Sequence, residues 1–97
     1  MQLRKEHLIA YDIEDNKTRT IIYKQLLAYG LKAVQKSVFW GYVSIAEFNA
    51  IKRLFDRSLT ISDKVFITRV NMHEQKLDYS FGYDDKTFKD WDEYGHI

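Results

Sequence analysis

Two stretches of helical periodicity are each set between short runs of strand periodicity, and that order confines the chain to few folds. Residues 7–13 form an apolar run that reads as the first strand. Glu14, Asp15 and Asn16 make a turn, and Asp15 or Asn16 can accept the free N–H groups that open a helix. Ile22, Leu26 and Tyr29 then recur at helical spacing, with Ile21, Tyr23 and Leu27 widening the apolar stripe. Gly30 ends that helix, because glycine tolerates the left-handed backbone adopted there. Residues 31–35 and 37–43 read as the second and third strands. In the third, Val38, Trp40 and Tyr42 share one face while Phe39 and Gly41 take the other. Ser44 and Glu47 make a capping box, and Ile45, Phe48, Ile51, Leu54 and Phe55 give the following helix a broad apolar face. Residues 64–70 read as the fourth strand.

The order strand, helix, strand, strand, helix, strand predicts a ferredoxin-like α+β domain over residues 1–76, with one antiparallel sheet and both helices on one face. Residues 77–97 fall outside that pattern. Residues 77–83 alternate apolar and polar side chains like an additional C-terminal strand, and Phe88, Trp91 and Tyr94 follow within an acidic tail. Those aromatics either fold back onto the sheet of their own chain or form a stripe for a partner.

The chain has no cysteine, which excludes a disulfide framework, a thiol nucleophile and a cysteine-rich zinc site. No apolar run approaches the roughly 20 residues of a membrane span. Residues 1–6 are not followed by the apolar core of a signal peptide. The expectation is a cytoplasmic protein with no membrane partner. His7, His73 and His96 form no ligand pair, and His73 is expected to be exposed. Charge is uneven along the chain. Residues 1–76 hold 13 Lys and Arg against 8 Asp and Glu, a balance of +5, while residues 77–97 hold 2 against 6, a balance of −4. The body can offer a basic surface to a polyanion that the tail would repel.

Tyr11-Asp12 closes the first strand, and an acidic residue ending an apolar strand needs a partner, a metal or water. Later comes Val34-Gln35-x-Ser37-Val38-Phe39-x-Gly41. These two segments, with Asp15 and Arg19 entering the first helix and Leu26-Leu27-x-Tyr29-Gly30-Leu31 leaving it, resemble the family of small CRISPR-associated adaptation subunits, CRISPR-associated protein two. The match covers residues 7 to about 70. The resemblance implies a ferredoxin-like homodimer that partners the CRISPR integrase, in agreement with the strand order read above.

The resemblance also implies roles for single residues. Asp12 would be the catalytic and metal-binding aspartate, facing its copy across the dimer axis and sharing Mg²⁺ (or Mn²⁺), which relieves the repulsion of two close carboxylates. Read without the resemblance, Asp12 is a helix-capping or turn aspartate. Tyr11, Ser37 and Phe39 would be neighbours of the active site, although Tyr11 must point away from Asp12 and Phe39 reads as packing. Lys17, Arg19, Lys32 and Lys36 would contact nucleic acid, with Lys24, Lys52, Arg53 and Arg57 as further phosphate contacts. Family members often carry a second arginine beside Arg19, where this chain has Lys17 and Thr18. Trp40 replaces a residue that is usually polar in the family, and the sequence offers no reason for it.

Two functions follow. One is a dimeric scaffold in spacer acquisition that binds duplex DNA and holds the integrase. The other is a metal-dependent endonuclease acting on RNA or duplex DNA through Asp12. Whether the chain is an enzyme stays open at this stage, and a stand-alone toxin-type endoribonuclease of the same fold is the alternative.

Overall fold

A computed structural model of the chain describes residues 3–75 and 77–89. Six elements follow in the expected order: β1 (Arg4–Asp12), α1 (Asn16–Ala28), β2 (Lys32–Gln35), β3 (Val38–Ser44), α2 (Ile45–Ser58) and β4 (Lys64–Arg69). They build one four-stranded sheet in the order β2-β3-β1-β4, with every neighbouring pair antiparallel. This is the ferredoxin-like arrangement.

Local chemistry accounts for the helix boundaries. The Asp15 carboxylate caps α1 by accepting from the Thr18 N–H at 2.8 Å. Gly30 leaves α1 at φ +87°, and Leu31 N–H returns to the Leu26 carbonyl. Both halves of the α2 capping box form: Ser44 Oγ accepts from Glu47 N–H, and Glu47 Oε1 accepts from Ser44 N–H.

The core fills the space between the sheet and the two helices. Ile9, Tyr11, Ile13, Phe39 and Val43 from the sheet side meet Ile22 and Leu26 of α1 and Ile51, Leu54 and Phe55 of α2. Alternation along β1 sends His7, Ile9 and Tyr11 to this side and Glu6, Leu8, Ala10 and Asp12 to the other. The buried stripes are narrower than the periodicity suggests. Ile21, Tyr23 and Leu27 stay partly exposed on α1, and Ile45 is largely exposed at the start of α2. β1 also begins three residues earlier than expected, at Arg4.

The second face of the sheet is covered in part by the chain's own tail. No strand forms at 77–83 among the described residues, which corrects the expectation of an additional C-terminal strand within the single chain. The segment after β4 instead crosses the open face in turns. Phe88 packs edge-on against Trp40 at 5.5 Å, and Tyr83 hydrogen-bonds β2 through Gln35 Nε2 and the Val34 carbonyl. His73 is accordingly half-buried rather than exposed, with its Nδ1 3.1 Å from the Phe88 carbonyl oxygen. The tail thus folds back onto its own sheet as far as Phe88, while Trp91 and Tyr94 lie outside the described residues.

Candidate metal and nucleic-acid site

Asp12 is the last residue of β1, exposed on the sheet face away from the helices. Its register partner on β4 is Lys64. Together with Ala10 and Phe66, these residues line a shallow, mainly apolar groove of about 290 Å³. Phe66 is 57 % exposed there, a large apolar ring left uncovered beside a carboxylate.

The loop after Asp12 is held from both sides. Arg19 donates from Nη1 to the Ile13 carbonyl at 2.7 Å and from Nη2 to Asn16 Oδ1. The Asp63 carboxylate accepts from Glu14 N–H at 3.1 Å and from Thr60 N–H at 3.0 Å. These backbone donors hold the Asp63 carboxyl below its ordinary pKa, and the Thr18 N–H does the same for Asp15. The Asp15 and Asp63 carboxylates are therefore engaged with backbone, while Asp12 and Glu14 are exposed.

Among the described residues no three His, Cys, Asp or Glu side chains gather as a metal site. Within the described residues Asp12 thus lacks the two further ligating side chains that would complete a site in one chain. Asp12 fits Mg²⁺ or Mn²⁺ only where a second Asp12, water and phosphate oxygens complete the coordination.

The other expected site residues divide between the two sides of the sheet. Tyr11 turns inward and is 6 % exposed, stacked on Phe39 at 6.2 Å. Phe39 is fully buried, so its part is packing. Ser37 meets Tyr11 through backbone alone, its carbonyl accepting the Tyr11 N–H at 3.0 Å. Lys17 is exposed in the first turn of α1 and Lys36 in the β2–β3 turn. Lys32 is engaged by the tail: its Nζ donates to the Thr87 and Lys86 carbonyls at 2.6 and 3.1 Å and lies 5.6 Å from the Trp40 ring centre.

Sequence reasoning missed Glu6. It is 6 % exposed on the open face, and its carboxylate accepts from Trp40 Nε1 at 2.6 Å, Met72 N–H at 2.7 Å and His73 N–H at 3.1 Å. A buried carboxylate with three donors accounts for Trp40, whose indole N–H needs an acceptor when the ring is 2 % exposed. The available signal was alternation. Glu6 shares a face with Asp12, and Tyr42 stands opposite it on β3.

Fold and site together define a ferredoxin-like domain with one outward carboxylate at the end of its first strand, flanked by basic side chains at the first helix. The family model for CRISPR associated protein Cas2 matches residues 5–77. The chain belongs to the CRISPR-associated Cas2 family. It is 97 % identical, over the full length of both chains, to the CRISPR-associated endoribonuclease Cas2 1 of Francisella tularensis subsp. novicida. It is 30 % identical over 88 residues, 91 % of this chain and 92 % of the relative, to the CRISPR-associated endoribonuclease Cas2 of Haloferax volcanii. Among solved structures, Streptococcus pyogenes Cas2 at pH 6.5 superposes with a TM-score of 0.67 at 25 % identity, covering 79 % of this chain and 99 % of that one. No helix among the described residues is long and apolar enough to cross a membrane.

Proposed function

We propose that the protein is a spacer-acquisition subunit: a homodimer that binds duplex DNA through its phosphates and holds the CRISPR integrase. The observation that supports this most is the sparseness of the acidic site. Metal nucleases commonly gather several carboxylates around two ions, whereas among the described residues no three metal-ligating side chains gather. Lys17, Arg19 and Lys36 would meet the DNA backbone without reading sequence. Lys32 would join them only when the tail releases it.

A metal-dependent endoribonuclease is the second reading, favoured by the names of both relatives and by the exposure of Asp12. Asp12 from each of two chains would hold the ion. Bound there, Mg²⁺ or Mn²⁺ would polarise a phosphodiester and lower the pKa of a coordinated water. Arg19 and Asp63 serve that site by fixing the loop behind Asp12.

Reconstituted integration separates the two readings. The chain is mixed with integrase, a short duplex and a repeat-bearing target, as wild type and as Asp12→Asn. Asparagine keeps the shape and loses the charge, so nuclease activity should fall to background while integration continues. Loss of integration in a variant that still dimerises and still binds the integrase would put the enzymatic reading first. Failure of the wild type to support integration would sink the scaffold reading.

A further inference from the structure

Lys32 opens β2, the edge strand of the sheet, and pairs with Trp40 on the open face. The tail holds its ammonium: Nζ donates to the Thr87 carbonyl at 2.6 Å and to the Lys86 carbonyl at 3.1 Å. The turn that presents these carbonyls is closed on itself. The Asp84 carboxylate accepts from Lys86 N–H at 2.8 Å and from Thr87 Oγ1 at 3.3 Å, and Thr87 N–H donates to the Asp84 carbonyl. Two flanking side chains pin the turn to the sheet. The Tyr83 hydroxyl donates to the Val34 carbonyl at 3.1 Å and accepts from Gln35 Nε2 at 2.8 Å. The Phe88 ring lies edge-on to Trp40.

The tail is thus attached at two places of different kind. The near one is the buried Glu6 carboxylate, which holds the Met72 and His73 N–H groups. The far one is the turn over Lys32. Residues 77–82 link the two and are all exposed, with Tyr79 at 83 % and Phe81 at 86 %. A segment that buries so little opens at a low free energy, so the far attachment can lift while the near one holds. A polyanion is suited to lift it. A phosphate oxygen carries charge where a carbonyl carries only a dipole, so it is the stronger acceptor for an ammonium. Residues 77–97 also carry a balance of −4, so a nucleic-acid strand arriving at Lys32 repels the segment it displaces.

We propose that the turn at residues 84–87 is an autoinhibitory latch over Lys32. Closed, it occupies the ammonium with the chain's own carbonyls; a nucleic-acid backbone opens it by putting phosphate oxygens in their place. The inference rests on the nucleic-acid binding proposed above and adds that the tail gates one of its contacts. Linkage makes the gate reciprocal: a chain with the latch lifted binds duplex more tightly, and bound duplex favours the lifted state by the same factor.

A double-mutant cycle on the full chain tests it, read by fluorescence anisotropy of a fluorescein-labelled duplex with EDTA present so that nothing is cleaved. The opening variant joins Tyr83→Phe and Phe88→Ala, which loosen both pins and change no charge. It should bind duplex roughly two- to fivefold more tightly than the wild type, with a plot of log K against log salt steeper by about 0.9. Lys32→Gln should cost the opening variant that whole gain, and more than it costs the wild type. Tyr83→Phe alone keeps both rings and should give a smaller gain of the same kind, so the cycle can be run on it if the double substitution does not fold. An opening variant that binds no better than wild type overturns the latch. So does a gain that survives Lys32→Gln, since it would come from moving the acidic tail and not from freeing the lysine. Either result leaves duplex binding through Lys17, Arg19 and Lys36 standing. No binding of duplex by any of these proteins overturns both readings.

Discussion

Glu6 shows how much one side chain can organise on a face that the helices leave bare. Its carboxylate gathers the Trp40 indole and two tail N–H groups, so it ties β1, β3 and the tail together. Glu6→Ala would strand three donors under the tail and should cost about 2–4 kcal/mol in urea unfolding. Glu6→Gln keeps one acceptor oxygen at the same place and should recover most of that loss. Proteolysis within residues 72–89 should quicken in Glu6→Ala before the domain unfolds. Equal stability of Glu6→Ala and wild type would show that the tail is held by Phe88, Tyr83 and the Lys32 contacts without Glu6. Asp15 and Asp63 act at the same scale but titrate. Their folded pKa values are depressed by backbone N–H donors. The stability they add is therefore full above the unfolded value, about pH 4, and lost as pH falls through the folded one. Asp63→Asn should flatten the acid limb of a stability–pH curve. An acid limb unchanged by the substitution would show that other carboxylates set it.

At the scale of elements, Gly41 of β3 lies hard against Leu31, just before β2. A Cβ there would come within 2.9 Å of Leu31 Cδ2 and 3.2 Å of Leu31 Cα. Part of that clash is with backbone, so rotation of the leucine side chain cannot relieve all of it. Gly41→Ala should lower the urea midpoint by an amount equivalent to about 1–3 kcal/mol with the slope unchanged. A midpoint equal to the wild type's would mean that β2 shifts freely against β3. The elements themselves were legible because their signals are local: the Asp15 cap, the Ser44–Glu47 box, Gly30, and the alternation that put Phe39 inward and Trp40 outward. What escaped the sequence depends on contacts far apart in the chain. Ile45 and Leu27 fit a helical stripe, but α1 and α2 also pack on each other and on the sheet, which leaves those positions outside the contact. The alternation at 77–83 suits a strand, yet a strand needs a neighbour with free backbone groups. Within this chain the tail is instead drawn to Trp40 and Glu6. The place of Asp12 at the end of β1 was legible from the apolar run before it. The tail's hold on Lys32 was not, since carbonyls 54 and 55 residues further along the chain supply it.

For the whole molecule, the sheet's open face is divided. The tail covers the β2–β3 side over Trp40 and Tyr42, while Ala10, Asp12 and Phe66 stay open on the β1–β4 side. Exposed Phe66 gives a second copy an apolar surface to bury, and docking there would bring two Asp12 carboxylates into one neighbourhood. Two such charges oppose association until a cation offsets them. A divalent ion that binds only the pair must then favour the dimer by mass action. Light scattering at micromolar concentration should show a dimer whose share rises with Mg²⁺ or Mn²⁺ and falls with EDTA. Phe66→Glu should give a monomer with an unchanged thermal melt, because the ring is exposed in the single chain, and Mn²⁺ binding should disappear with the dimer. Asp12→Asn should do the reverse, keeping the dimer without any need for metal while losing Mn²⁺ binding. The two variants thus break assembly and metal binding separately. If Phe66→Glu remains a dimer that binds Mn²⁺, the interface lies elsewhere and Asp12 does not depend on this face for its partner. If Asp12→Asn dimerises only with metal present, the ion bridges other groups and Asp12 loses its assigned part.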